Sequence, residues 1–305
     1  MIRISTFGQT AKLLNTLNQH QIELNQTQNQ IGSGKKSQTY DGLVGMIPTL
    51  SSAQSMKAQT QGMIDSNAKI RLAVNMRDNT IATIMSSIGA IKDTLMNSIS
   101  LQNAQGLRQT IDAHFKSIAG ALNIQLDNSY LFAGSLTSTK PFIPGDLNDL
   151  AALASADDSF ANDQNAPVNL LDVQTLVRTG QLADEIVKPL MEVLRAYTLL
   201  DNASPMTGKL NQSEVDALLV IANDVEASRK HLQIHQSVNG ILQKQMDEIE
   251  QKQSNFLDTL TILISDIEDT DMPSAITRLQ QQQSAIEASY KILSRLPNLS
   301  LTNYI

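Results

Sequence analysis

The chain has no cysteine, which removes disulfide frameworks, thiolate metal sites and cysteine nucleophiles from consideration. It also has no tryptophan, and aromatic residues make up only 4% of its 305 residues. A compact enzyme commonly builds core and pocket partly from aromatics, whereas long helices can be packed with Leu, Ile, Ala and Met alone, so the composition favours an extended helical protein over an enzyme. Positive charge is scarce as well. A formal net charge of -7, without any basic stripe interleaved with aromatics, argues against a nucleic-acid partner, because phosphate contacts need concentrated Lys and Arg. Long apolar runs are missing: the stretch Leu218-Leu219-Val220-Ile221-Ala222 is far too short to cross a bilayer, and no membrane partner is expected. The opening Met1-Ile2-Arg3-Ile4-Ser5-Thr6-Phe7-Gly8 lacks the apolar core and small-residue cleavage site of a secretory signal, so any export is expected to use another route.

What the chain does have is a matched pair of apolar stripes at its two ends. Leu17, Leu24 and Ile31 recur every seven residues near the start, and Met272, Leu279, Ile286 and Leu293 do the same near the finish. A seven-residue repeat keeps one seam of a helix facing a partner helix, and a lone helix of a few turns is only marginally stable in water. These seven residues are therefore the candidate assembly interface, with the two ends expected to meet. The residues between them are mostly uncharged, as in Asn25-Gln26-Thr27-Gln28-Asn29-Gln30 and the run Gln280 to Gln283. Such a surface can lie against neighbouring subunits without burying unpaired charge, which points to assembly. The alternative is a Gln-rich solvated face with no further partner.

Between the stripes the pattern is nearly symmetrical. Turn formers from Gly32 to Gly42 mark a first joint. A long helix is expected from near Leu50, strongest at Ile81, Ile84, Ile88, Ile91, Leu95 and Ile99, followed by one through Leu107, Ile111, Phe115, Ile118 and Leu122. Tyr130-Leu131-Phe132-Ala133-Gly134 reads as a short strand, with Phe142-Ile143 as its return. Residues 144–169 read as loop, and Ile186, Leu190 and Leu194 suggest a short helix that Pro189 would kink. The longest helix starts near Ser213 and carries a seam of Leu242, Met246, Ile249, Gln253, Phe256, Leu260, Leu263 and Ile267, in which polar Gln253 would fix register. A second joint, Asp266-Ile267-Glu268-Asp269-Thr270-Asp271-Met272-Pro273, precedes the final helix.

Several features suggest chemistry and fall short of it. His231 and His235 stand i, i+4, but no Glu occupies the zinc-protease position and no third ligand can be assigned from sequence, so no metal or other cofactor is expected. The acidic run from Asp266 to Asp271 lacks the central glycine and closing glutamate of a calcium loop and reads as helix-capping carboxylates. Gly34-Lys35 lacks the earlier glycine of a phosphate loop, since Asn29 stands there. No nucleophile elbow accompanies the four histidines, so no catalytic residue is assigned. Met56, Met63, Met76, Met85 and Met96 read as adaptable filler between helices.

The near-palindromic plan and three sequence blocks resemble the bacterial flagellin family. The block Ser265-Asp266-Ile267-Glu268-Asp269-Thr270-Asp271-Met272-Pro273-Ser274-Ala275-Ile276-Thr277 is similar to the acidic joint before the family's C-terminal helix. Ile31-Gly32-Ser33-Gly34-Lys35-Lys36 is similar to the break after its N-terminal helix, and Leu299-Ser300-Leu301-Thr302-Asn303-Tyr304-Ile305 to its short apolar tails. Within the family, Asn128-Ser129-Tyr130-Leu131-Phe132-Ala133-Gly134 with Pro141-Phe142 resembles the hook-filament junction branch. The resemblance covers about the first 145 and last 95 residues. Only loop-like residues follow the Pro-Phe pair, where that branch often has a mainly β outer domain, and Leu43-Val44-Gly45-Met46-Ile47-Pro48 departs from the usual acidic, Ala-rich pattern.

The resemblance implies a mainly α fold: a long flagellin-like helical bundle with terminal coiled-coil helices and a small β-hairpin. It implies a terminal coiled-coil domain of residues 1–33 and 272–305, disordered in the monomer; a helical core of 47–135 and 212–266; and a variable middle segment, 136–211, with a short helix. It further implies an extracellular structural protein joining hook to filament, exported without a cleaved signal and assembling with itself into a helical tube. Its expected partners are a hook-side junction protein, flagellin and a flagellar export chaperone. The alternatives are the filament subunit itself and a cytoplasmic helical adaptor.

Overall fold

A computed structural model describes residues 6–295. Helices dominate it: α1 (Thr6–Ser33), α2 (Ile47–Leu101), α3 (Leu107–Leu122), α4 (Leu147–Ala152), α5 (Ala183–Ala203), α6 (Gln212–Glu268) and α7 (Met272–Arg295). Two two-stranded antiparallel hairpins complete the described residues, β1 (Gln125–Leu126) with β2 (Ser129–Tyr130), and β3 (Val168–Asp172) with β4 (Thr175–Arg178). The fold is thus mainly α, as the composition and periodicity require. The chain divides into two compact units: residues 1–61 with 255–305, and residues 62–254.

In the second unit the three-and-four spacing of α2 becomes a core. Ile81, Ile84, Ile88, Ile91 and Leu95 are all at most 1% exposed and pack with Leu107, Ile111, Phe115, Ile118 and Leu122 of α3. Ile186, Leu190 and Leu194 of α5 join the same cluster. Pro189 does not end α5, which runs on to Ala203. A proline has no N–H, so the carbonyl four residues earlier, that of Glu185, loses its helical donor. His231 of α6 supplies the substitute, its Nε2 lying 2.8 Å from the Glu185 carbonyl oxygen.

The expected return strand is a different segment. Tyr130 pairs with Gln125, whereas Phe142 bridges to Phe160 and stacks against Phe115 and Phe160 at ring-centre distances of 5.9 and 5.6 Å. Asp127 and Asn128, with φ of 48° and 65°, form a two-residue turn in the left-handed region, which short Asx side chains tolerate and which reverses the chain at once. The stretch expected to be loop also contains α4, whose N-cap Asp146 accepts bonds from the backbone N–H groups of Asn148 and Asp149.

The β3–β4 hairpin was absent from the sequence reading. Its anchor is Leu171, which is fully buried with Val74, Leu242, Met246 and Ile249. Buried Gln253 secures the same point, donating from Nε2 to the Leu171 carbonyl at 3.0 Å and accepting from Asn67 Nδ2 at 3.2 Å. Asn67 Nδ2 also reaches the Leu171 carbonyl at 2.8 Å. The polar residue in the α6 seam therefore fixes register by hydrogen bonding to α2 and to the hairpin. Met76 and Met85 pack against the core as filler, while Met56 and Met96 are exposed.

Candidate assembly interface

In the first unit, α1 and α7 pair along their lengths. An antiparallel bridge between Lys35 and Asp269 and a 2.9 Å hydrogen bond from Gln21 Nε2 to the Tyr290 hydroxyl fix their relative direction as antiparallel. The ends separated by more than two hundred residues do meet. Leu17 is buried, and Leu24, Ile31, Leu279, Ile286 and Leu293 are half-buried. Met272 opens α7 and is 38% exposed; the buried residue at that end is Ala275.

Ala275 belongs to a second row that sequence reasoning missed. Leu13, His20 and Thr27 on α1, and Ala275, Gln282 and Ser289 on α7, interleave with the apolar row at spacings of three and four, and all are buried or half-buried. Apart from Leu13 its members are small or polar and carry no repeating hydropathy signal, so this row was invisible to a search for apolar repeats. Thr27 and Ser289 can be tolerated there because their hydroxyls donate to their own helix, to the Glu23 carbonyl at 2.9 Å and the Ala285 carbonyl at 2.8 Å. Gln282 Oε1 is out of solvent without a hydrogen-bond partner, and His20 Nδ1, also out of solvent, faces only the Glu23 carboxylate of its own helix at 3.5 Å.

The two joints form a clamp at one end of this pair. Gly34, at φ 72°, closes α1 in the left-handed conformation that glycine adopts without penalty, donating to the Gln30 carbonyl at 2.9 Å. Lys36 N–H donates to the Glu268 carbonyl and Thr270 N–H to the Gly34 carbonyl. Lys35 Nζ lies 2.9 Å from Glu268 Oε2 and 2.7 Å from Asp269 Oδ1. These bonds, that to Asp269 foremost, raise the lysine pKa above its ordinary value, while Lys35 and then Ser265 hold Asp269 below the ordinary carboxylate value. Asp271 caps the start of α7, accepting from Ser274 N–H at 3.3 Å, so the acidic run is divided between helix end, clamp and cap. Under the clamp, Leu43, Leu50 and Ile267 form a small core with Ile47 and Ile264.

Among the described residues no group of three His, Cys, Asp or Glu is placed to hold a metal ion, and no helix is long and apolar enough to cross a membrane. His231 and His235 lie in the second unit with ring centres 4.9 Å apart.

Residues 223–305 match the family described as the bacterial flagellin C-terminal helical region, a span that includes the second joint and all of α7. No curated protein matches the chain in sequence. Among solved structures, a flagellar hook-associated protein from Vibrio parahaemolyticus aligns with a TM-score of 0.55 at 18% identity, covering 72% of this chain and 94% of that one. FlgL from Bacillus cereus aligns with a TM-score of 0.54 at 14% identity, covering 70% of this chain and 96% of that one. The helical plan is therefore shared with both, and the region carrying the second joint and the terminal helix has a family of its own. The chain is thus similar in fold to two flagellar proteins, and its residues 223–305 are similar to the flagellin C-terminal helical region.

Proposed function

We propose that this chain is a non-catalytic structural component of the flagellum that joins the hook to the flagellin filament. The observation that carries this reading is the α1–α7 pair, built from opposite ends of the sequence and bare of charge over residues 24–34 and 279–286. Beyond the seam, Leu14, Ile22, Ile276, Tyr290 and Ile292 remain exposed on the same two helices. They leave the pair with apolar groups that neighbouring subunits would cover. The junction role is favoured over the filament role by the fold in common with the Vibrio hook-associated protein and with FlgL.

In this reading the terminal segments stay disordered in the exported monomer. Fixing each residue costs about 1–2 kcal/mol of backbone entropy, which a single helix pair with a half-buried seam offsets poorly. Neighbouring copies bury the remaining faces, so folding of the ends and assembly are coupled. Repeated head-to-tail contacts generate a helical tube, one end meeting a hook-side junction protein and the other flagellin. Export proceeds without a cleaved signal, with a flagellar chaperone holding the unpaired ends.

Electron microscopy of a strain lacking the chain, with an assay for flagellin in the medium, tests the role. Hooks without filaments, and flagellin shed as monomer, are expected. Shortened or altered filaments would indicate a filament subunit, and normal flagella would overturn both readings.

A further inference from the structure

A cleft of about 520 Å³ in the second unit lies between the segment leading from β4 into α5, which contributes Gln181, and the face of α6 that carries His231, His235 and Leu242. Its volume falls within the range of small-ligand sites, and three electron-pair donors on its walls have no use in the fold. The first is on His231. The Glu185 carbonyl can only accept, so His231 Nε2 carries the proton of that 2.8 Å bond, and in the neutral ring Nδ1 is left with a free lone pair. Metal-ligating imidazoles are commonly fixed in this manner, with the remote N–H donated to a carbonyl.

The second donor is on His235, whose ring nitrogens have no hydrogen-bond partner among the described residues and whose ring meets His231 at 4.9 Å. The third is on Gln181, which is only 9% exposed. Its Nε2 donates to the His235 backbone carbonyl at 2.9 Å, while Oε1 is buried without any partner. Leaving a buried carbonyl oxygen unpaired is unfavourable unless something else meets it. Arg178, also on the cleft, contributes little repulsion because Glu185 takes its guanidinium through both carboxylate oxygens at 2.6 Å.

We propose that His231, His235 and the side-chain carbonyl of Gln181 bind one imidazole-preferring divalent transition-metal cation in this cleft, with solvent completing its coordination. Two imidazoles and an oxygen suit Zn2+ or Cu2+ far better than Ca2+ or Mg2+. The cation would tie α6 to the start of α5, so its role is structural and independent of the junction reading.

The test is Zn2+ titration of the full chain by calorimetry, with thermal melting in parallel. One Zn2+ per chain and a melting temperature that rises with Zn2+ are expected. His235→Ala, which leaves the Glu185 bond intact, should bind about 100-fold more weakly and lose the Zn2+-dependent rise. Should that variant fail to fold, imidazole NMR of the unaltered chain decides: Zn2+ should shift His231 and His235 and leave His20 and His114 unmoved. Absence of saturable one-to-one binding, undiminished binding by His235→Ala, or shifts centred on His20 or His114 would overturn the site.

Discussion

His231 and Pro189 make a pair whose interaction can be measured. If the imidazole replaces the N–H that proline lacks, His231→Ala should destabilise the second unit by about 1 kcal/mol, the cost of an unmet, partly buried carbonyl. In a Pro189→Ala background, where the helix supplies its own donor, the same change should cost clearly less. Equal losses in both backgrounds, read from denaturant unfolding, would break the connection. Gly134 gives a second residue-scale expectation. Its φ of 70° suits glycine, and a Cβ there would run into the Asp163 carboxylate and come within 3.1 Å of the Asn165 carbonyl oxygen. Gly134→Ala should therefore cost about 1–3 kcal/mol by the same unfolding measurement. At this scale the sequence exposed which residues were unusual but not their partners. Gln253 was recognisable as a polar residue in an apolar seam, yet Asn67 and Leu171 lie far away in the chain and nothing local marks them. The His231–His235 spacing was visible, whereas Gln181 could be brought to it only by folding.

Among elements, the terminal helix pair carries the sharpest expectations. Ile286→Asp places a charge against the α1 seam and should cost this pair about 2 kcal/mol or more. The variant should fail to enter assemblies of the unaltered chain, while the core helices of the second unit keep their hydrogen-exchange protection. Incorporation at the unaltered level would contradict the seam. The clamp adds a pH dependence with a definite sign. Asp269 has a lowered folded pKa, so its contribution is present above the ordinary carboxylate value of 3.8 and is lost as pH falls through the lower folded value. Lys35 has a raised folded pKa, so its contribution is full below 10.5 and is lost as pH climbs through the higher folded value. Protection at residues 34–36 and 266–270, that is exchange corrected for its intrinsic pH dependence, should be greatest between these limits, and Lys35→Ala should flatten the profile. The apolar row of the seam was readable because leucine and isoleucine at sevenfold spacing stand out from Gln and Asn. Its companion row of Thr, Ser, Ala and Gln was not, since the same residues populate the exposed faces. The β3–β4 hairpin escaped for a related reason: Leu170 and Leu171 are adjacent, the register shifts between Leu170 and Asp172, and strict alternation is lost.

For the whole molecule, the two clusters of residues that fill the second unit all come from between Val74 and Ile249. Residues 62–254 should accordingly fold cooperatively as an isolated fragment with native-like helicity; a non-cooperative melt by circular dichroism would show that the unit needs the rest of the chain. Helical class and the meeting of the two ends could be read before folding, because both follow from composition and long-range periodicity. The proposed place at the boundary of hook and filament could not, since junction and filament subunits would both need such a terminal seam. Immunogold labelling of isolated flagella with an antibody to the folded second unit addresses that place directly. Label confined to the boundary between hook and filament is the expected result, and label distributed along the filament, or absent from the flagellum, would contradict the junction role.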